Sequence, residues 1–140
     1  VNAKYYESGR LAFLKRLEAK IADWERKLAP LQEKPLIAQH NSWAYYARRF
    51  RINFAGTIEP RPGIPPSPSH LAALLKLMQS QQVRVIVRQP HEPAKNADFL
   101  ASKTGAKVVL LAASVGAVPG AKDYLSLFDY NADALVNAMK

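Results

Sequence analysis

The chain contains no cysteine. Disulfides, thiolate metal sites and a cysteine nucleophile are therefore excluded, while the compartment is left open. No apolar run approaches the roughly 18 residues needed to span a bilayer as a helix. The opening residues, VNAKYYESGR, lack the charged-then-apolar order of a signal peptide. They start mid-pattern, already polar and helical, as a chain cut from a longer one would. No GxGxxG, GxxxxGKS/T or GxSxG occurs, which argues against a nucleotide-handling α/β enzyme or a serine hydrolase. Acidic residues are scarce, with 11 Asp and Glu against 20 Lys and Arg, for a net charge of +9.

A length of 140 residues is that of one domain, and an apolar content of 49% is too high for disorder. The basic residues are scattered, and only Arg48, Arg49 and Arg51 cluster. With Tyr45 and Tyr46 beside them, they read either as the solvated edge of an amphipathic helix or as an anion-binding face. The second reading gives the alternative function, a basic α/β interaction module for an acidic partner or an anionic membrane surface. Nucleic acid is not expected as a partner.

Residues 3–29 read as one long helix, with Leu14, Leu17, Ile21, Trp24 and Leu28 forming an apolar stripe at spacings of three and four. Pro30 ends it, and Leu31 extends the stripe. The stripe packs along its own domain or pairs in a coiled coil. From Pro35 onward strands alternate with helices. Strands are expected at 36–39, 54–58, 83–87 and 108–112, and helices at 42–50, 69–82, 94–104 and 123–139, the last with a break near Asp129 and Tyr130. This alternation predicts an α/β fold: a four-stranded parallel sheet with helices on both faces, preceded by one long amphipathic helix.

Right-handed crossovers bring every strand's carboxyl end to one rim, where open α/β sheets bind ligands. His40, Glu59, Gln89 to His91, and Ala113 with Ser114 all follow strand ends. A histidine in such a place is either a buried, hydrogen-bonded residue or a ligand. Asn41 and Ser42 are helix-cap candidates, and Trp43 and Tyr45 should pack the next helix on the sheet. The segment EPRPGIPPSPSH, 59–70, reads as a rigid rim loop, with Glu59 either bracing it or facing a ligand. Ser67 or Ser69 caps the helix that follows, with His70 in its first turn. Asp123, Tyr124, Asp129 and Asn131 read as capping and turn residues.

The order IAQHNSWAYYARRF, GTIEPRPGIPPSPSHLAALL, VRVIVRQPH, TGAKVVLL and SVGAVPGAKDYLSLFDYN resembles the zinc- and manganese-type solute-binding proteins of ABC importers, over nearly the whole chain. The resemblance implies that residues 1–34 belong to a helix joining two lobes, and 35–140 to the carboxyl-terminal lobe, the amino-terminal lobe being absent. It implies extracytoplasmic metal binding, in the periplasm or at the cell surface, with delivery to a membrane permease and no covalent chemistry. His40 matches the position of a histidine ligand, suited to Zn²⁺ and less selectively to Mn²⁺. His91 is a further candidate ligand and Glu59 a weaker one, while Trp43 and Tyr45 would support the ligand's backbone. Relatives often carry a carboxylate after the fourth strand, where this chain has Ala112, Ala113 and Ser114, and some carry Glu-Pro where it has Gln89 and Pro90. With so few ligands in one lobe, the chain alone should hold zinc weakly or not at all. Its uncovered apolar surfaces should favour self-association.

Overall fold

Alternating burial along the strands decides how the layers stack. In a computed structural model describing residues 2–61 and 63–140, the strands are Pro35–Ala38 (β1), Asn53–Thr57 (β2), Val85–Arg88 (β3) and Lys107–Leu110 (β4). They pair in parallel in the order β2-β1-β3-β4. The helices are Ala3–Leu28 (α1), Ala44–Phe50 (α2), Pro68–Ser80 (α3), Lys95–Thr104 (α4) and Tyr124–Ala138 (α5). Leu36, Ala38, Val85 and Val87 face a core closed by Trp24, Leu28, Phe50, Leu125 and Leu135, from α1, α2 and α5. Ile37 and Ile86 face the opposite way, onto Leu74, Met78, Ala97 and Leu100 of α3 and α4. A period of two on two covered faces gives strands apolar on both sides, as the expected fold requires. Val1 and Pro62, the latter within the expected proline loop, lie outside the described residues.

The sheet reverses direction between β1 and β3. The chain moves outward from β1 to β2, returns across β1 to β3, and continues to β4. Crossover loops diverge at such a reversal and leave a crevice at the strand ends. Gly56 allows α3 to lie close, since a Cβ there would stand 3.0 Å from Leu74 Cδ2 and 3.4 Å from Ile37 Cδ1. It follows a register shift in β2 against Leu36 and Ile37.

Several boundaries differ from expectation. Strand β3 starts at Val85 rather than Val83, because the Val83 N–H is spent on the Met78 carbonyl at the end of α3. Helix α2 starts at Ala44, and Asn41 and Ser42 do not cap it; Trp43 holds the cap position without a side-chain bond. Helix α5 runs through Asp129 and Tyr130 unbroken. Ser67 does cap α3, accepting a bond from the His70 N–H, with Pro68 in the first turn. Asp123 and Ser126 form a reciprocal capping box at α5.

Helix α1 packs over part of its length. Trp24 and Leu28 are buried, Leu17 and Ile21 are half-buried, and residues 2–16 are all exposed. The Trp24 ring stacks on Phe128 of α5 at 4.9 Å, and Asp129 of α5 accepts bonds from Trp24 Nε1 at 2.8 Å and Lys20 Nζ at 2.7 Å.

Candidate metal centre

Strand order builds the site. Strand β1 lies between β2 and β3, so residues just past their ends flank the residue just past its own end. Ala38 pairs with Thr57 on one side and Val87 on the other. Two residues beyond Ala38 comes His40, and two beyond Thr57 comes Glu59. The backbone stays aligned past the ladder, with Ile58 N–H donating to the Ala38 carbonyl and Glu59 N–H to the Gln39 carbonyl.

The imidazole of His40 is gripped on both edges. Its Nε2 lies 2.7 Å from Glu59 Oε2, and its Nδ1 lies 2.9 Å from Glu92 Oε1. Ionised carboxylates only accept, so both contacts are hydrogen bonds when the ring carries two protons. Burial of the ring works against that charge, but Glu59 and Glu92 outweigh it and raise the His40 pKa above its ordinary value.

Each carboxylate has its own support. Glu59 Oε1 accepts from Gln39 Nε2 at 2.9 Å, and the Gln39 Oε1 is buried with no partner among the described residues. Glu92 Oε2 accepts the backbone N–H of Gln89 at 2.6 Å, and Oε1 also lies 3.3 Å from Gln89 Nε2. Arg88 wraps this turn, its Nη1 donating to the carbonyls of Gln89 at 3.1 Å and Glu92 at 3.0 Å. The loop after β3 is thus shaped around a carboxylate. The His40 side chain is 20% exposed, Glu59 10% and Glu92 2%, so the open side of the cluster is that of His40 and Glu59.

The donor set suits a borderline divalent cation: one partly exposed imidazole and a carboxylate at its edge. Among the described residues no three His, Asp or Glu side chains are arranged to hold one ion. The reason is geometric, because the two carboxylates stand on opposite edges of one ring.

A family model described as "ZnuA: Zinc-uptake complex component A periplasmic" matches residues 1–138. The chain belongs to the ZnuA family. It is 26% identical over 142 residues to the high-affinity zinc uptake system protein ZnuA of Bacillus subtilis (strain 168), an alignment covering 99% of this chain and 44% of that protein. A crystal structure of ZnuA superposes with a TM-score of 0.82 at 28% identity, over 99% of this chain and 51% of that one. A mutant structure of the laminin-binding adhesin Lmb from Streptococcus agalactiae gives 0.77 at 28% identity, over 92% of this chain and 49% of that one. The chain therefore spans about half the length of the relatives it matches, or somewhat less.

In this ZnuA-family chain the expected rim residues separate into distinct groups. His40 and Glu59 meet, and Glu59 braces His40 and Gln39 through its side chain. His91 is exposed in the turn after β3 and stands outside the cluster. Glu92, its neighbour, enters instead and was missed in the sequence. Its one signal was a lone acid between Pro90 and Pro93 on a strand-end loop. Ala112 is buried, its backbone held on both sides by the Asn131 side chain at 2.8 Å, and Ala113 and Ser114 bring no acid. Asn131 is therefore a strand-end clamp rather than a turn residue.

Trp43 packs on the core as expected, but Tyr45 does not: it is 90% exposed. Tyr46 and Phe50 continue the buried face from Trp43 at spacings of three and four, and Tyr45 falls about 100° off that face. His70 is neither idle nor in the cluster, since its Nε2 meets the Thr57 carbonyl at 2.9 Å and ties α3 to the end of β2. Of the basic cluster, Arg49 pairs with Glu25, and Arg51 ends α2 in the left-handed conformation.

Proposed function

We propose that this chain is the carboxyl-terminal lobe, with part of the interlobe helix, of a two-lobed protein that binds zinc or manganese and delivers it to an ABC importer. Residues 1–34 then supply the interlobe helix and 35–140 the lobe. The observation that carries the reading is His40, a rim imidazole at the sheet's reversal point, in a chain whose family is a zinc-uptake component. Metal enters from the open side of the His40 cluster and is closed over by ligands of the other lobe. Release to the permease reverses this, with no bond made or broken in the protein. The protein works outside the cytoplasm and meets the membrane through its importer.

The apolar surfaces fit a lobe that normally has a neighbour. A groove of about 570 Å³ runs between α1, α2 and α5, lined by Ile21, Trp43, Tyr46, Val115, Tyr124 and Phe128, among others. A larger hollow of about 790 Å³ lies around Glu25, Arg48 and Arg49. Neither hollow is lined by His40 or Glu59.

Structural zinc sites take about four protein ligands, and this chain offers a fraction of them. Calorimetric titration should therefore show weak zinc binding, no tighter than micromolar, that His40→Ala abolishes. Submicromolar zinc binding by this chain, or binding indifferent to His40→Ala, would overturn the reading.

A further inference from the structure

We infer that the two carboxylates at His40 do different work: Glu59 joins His40 Nε2 as a metal ligand, and Glu92 is a positioning residue that holds the ring from its Nδ1 edge. This rests on the metal-binding reading of His40 given above. It assigns the carboxylate ligand of this chain to the end of β2, in place of the loop after β4, where Ala113 and Ser114 stand.

The hydrogen-bond inventory separates the two. Glu92 is spent: one oxygen holds a backbone N–H at 2.6 Å, the other serves His40 Nδ1 and Gln89 Nε2, and the side chain is 2% exposed. Moving it would strand a buried backbone donor. Glu59 is freer. Its Oε1 is steered by the neutral Gln39 amide, and its Oε2 has His40 Nε2 as its one partner among the described residues. Once the Nε2 proton leaves to solvent, both Nε2 and Oε2 present lone pairs to the same point on the exposed side. Gln39, whose Oε1 is buried without a partner among the described residues, holds the other oxygen of Glu59 through its Nε2.

Distances decide feasibility. Metal–ligand bonds of ~2.0–2.1 Å at a tetrahedral angle set the two donor atoms about 3.3 Å apart. They now stand 2.7 Å apart. An opening of roughly half an ångström, within reach of a χ adjustment of one glutamate, admits the ion. Meanwhile Nδ1–H continues to donate to Glu92, the usual arrangement in which a carboxylate fixes a ligating histidine's tautomer.

The absence of cysteine makes the test clean, because any sulfur ligand is then one that was introduced. The chain is titrated with Co²⁺ alone until its visible spectrum saturates. Glu59→Cys should add a near-ultraviolet sulfur-to-cobalt charge-transfer band, and Glu92→Cys should add none. Glu59→Gln should weaken Co²⁺ binding about tenfold or more without changing the circular dichroism. The positioning role is read by ¹⁵N shifts of the His40 ring in the Zn²⁺-loaded chain: one ligating nitrogen in the parent, and a mixture of both in Glu92→Leu. A band from Glu92→Cys, no band from Glu59→Cys, or a single unchanged ligating nitrogen in Glu92→Leu would overturn the assignment. If Glu92→Cys does not fold, the Glu59→Cys band and the ring shifts decide. His40→Ala separates the two levels. Its loss of Co²⁺ binding with no Glu59→Cys band refutes the division of labour alone. Binding that survives His40→Ala, or none in the parent chain, refutes the site itself.

Discussion

At the scale of single residues the controlling fact is that one imidazole meets two acids. Both ring nitrogens point at acceptors, so the folded chain prefers the doubly protonated ring, and the His40 pKa is raised from its ordinary 6.5. A histidine raised on folding stabilises the fold fully below its unfolded value and loses that contribution as pH rises through the folded value. Thermal melts across the neutral range should therefore show the metal-free chain losing stability with rising pH, and His40→Gln should flatten that slope. A slope that survives the substitution would place the titrating group elsewhere. A ring lone pair left facing a carboxylate across 2.7 Å would repel it, so deprotonation of the ring loosens this contact.

At the scale of elements the joint that matters is α1 on α5. Asp129 bonds the buried Trp24 indole and the Lys20 ammonium, and Lys27 meets Asp133 at 2.6 Å one turn further on. Burial opposes the charge of Asp129, but Lys20 and Trp24 outweigh it and hold its pKa below the usual range. A carboxylate depressed in this way contributes stability above its unfolded value, and the contribution fades as pH falls through the folded one. Asp129→Asn should remove that acid-side dependence while keeping an acceptor for Trp24. Asp129→Ala should cost more, about 1–3 kcal/mol in denaturant melts, since it strands a buried indole N–H. The salt-bridge part of this is small, because Lys20 and Asp129 are each about one-third exposed. Equal costs for Asn and Ala would show that the indole bond carries little. Helix α5 continues through Asp129 and Tyr130, where a break was expected.

At the scale of the whole molecule the chain reads as a body with an uncovered side. Residues 2–16 of the chain, with Tyr5, Tyr6, Leu11 and Phe13 exposed, project past the packed half of α1. An unpacked helix of this length is marginal in water. Amide exchange should be fast over residues 3–16 and slow over 20–28, where Trp24 and Leu28 are buried. The uncovered helix and the groove beside it should also drive self-association, seen as a mass that rises with concentration in light scattering. A strictly monomeric mass at high concentration would mean that these surfaces are too dispersed to pair.

Periodicity in the sequence sufficed for the α/β alternation, the four parallel strands and the placing of His40 on the rim, while the cap of α3 was left between Ser67 and Ser69. These are local properties, set by spacings of two and three to four residues. What surrounds His40 was not local. Glu59 and Glu92 lie 19 and 52 positions away, and they meet one ring because β1 inserts between β2 and β3 in the sheet. Tyr45 was expected to pack on the sheet with Trp43; the phase of α2 gives that place to Tyr46. The sequence alone placed His40, Glu59 and the loop after the third strand on one rim. Only the tertiary structure decided which of them touch, since strand order is settled by the packing of whole faces and by no single stretch of chain.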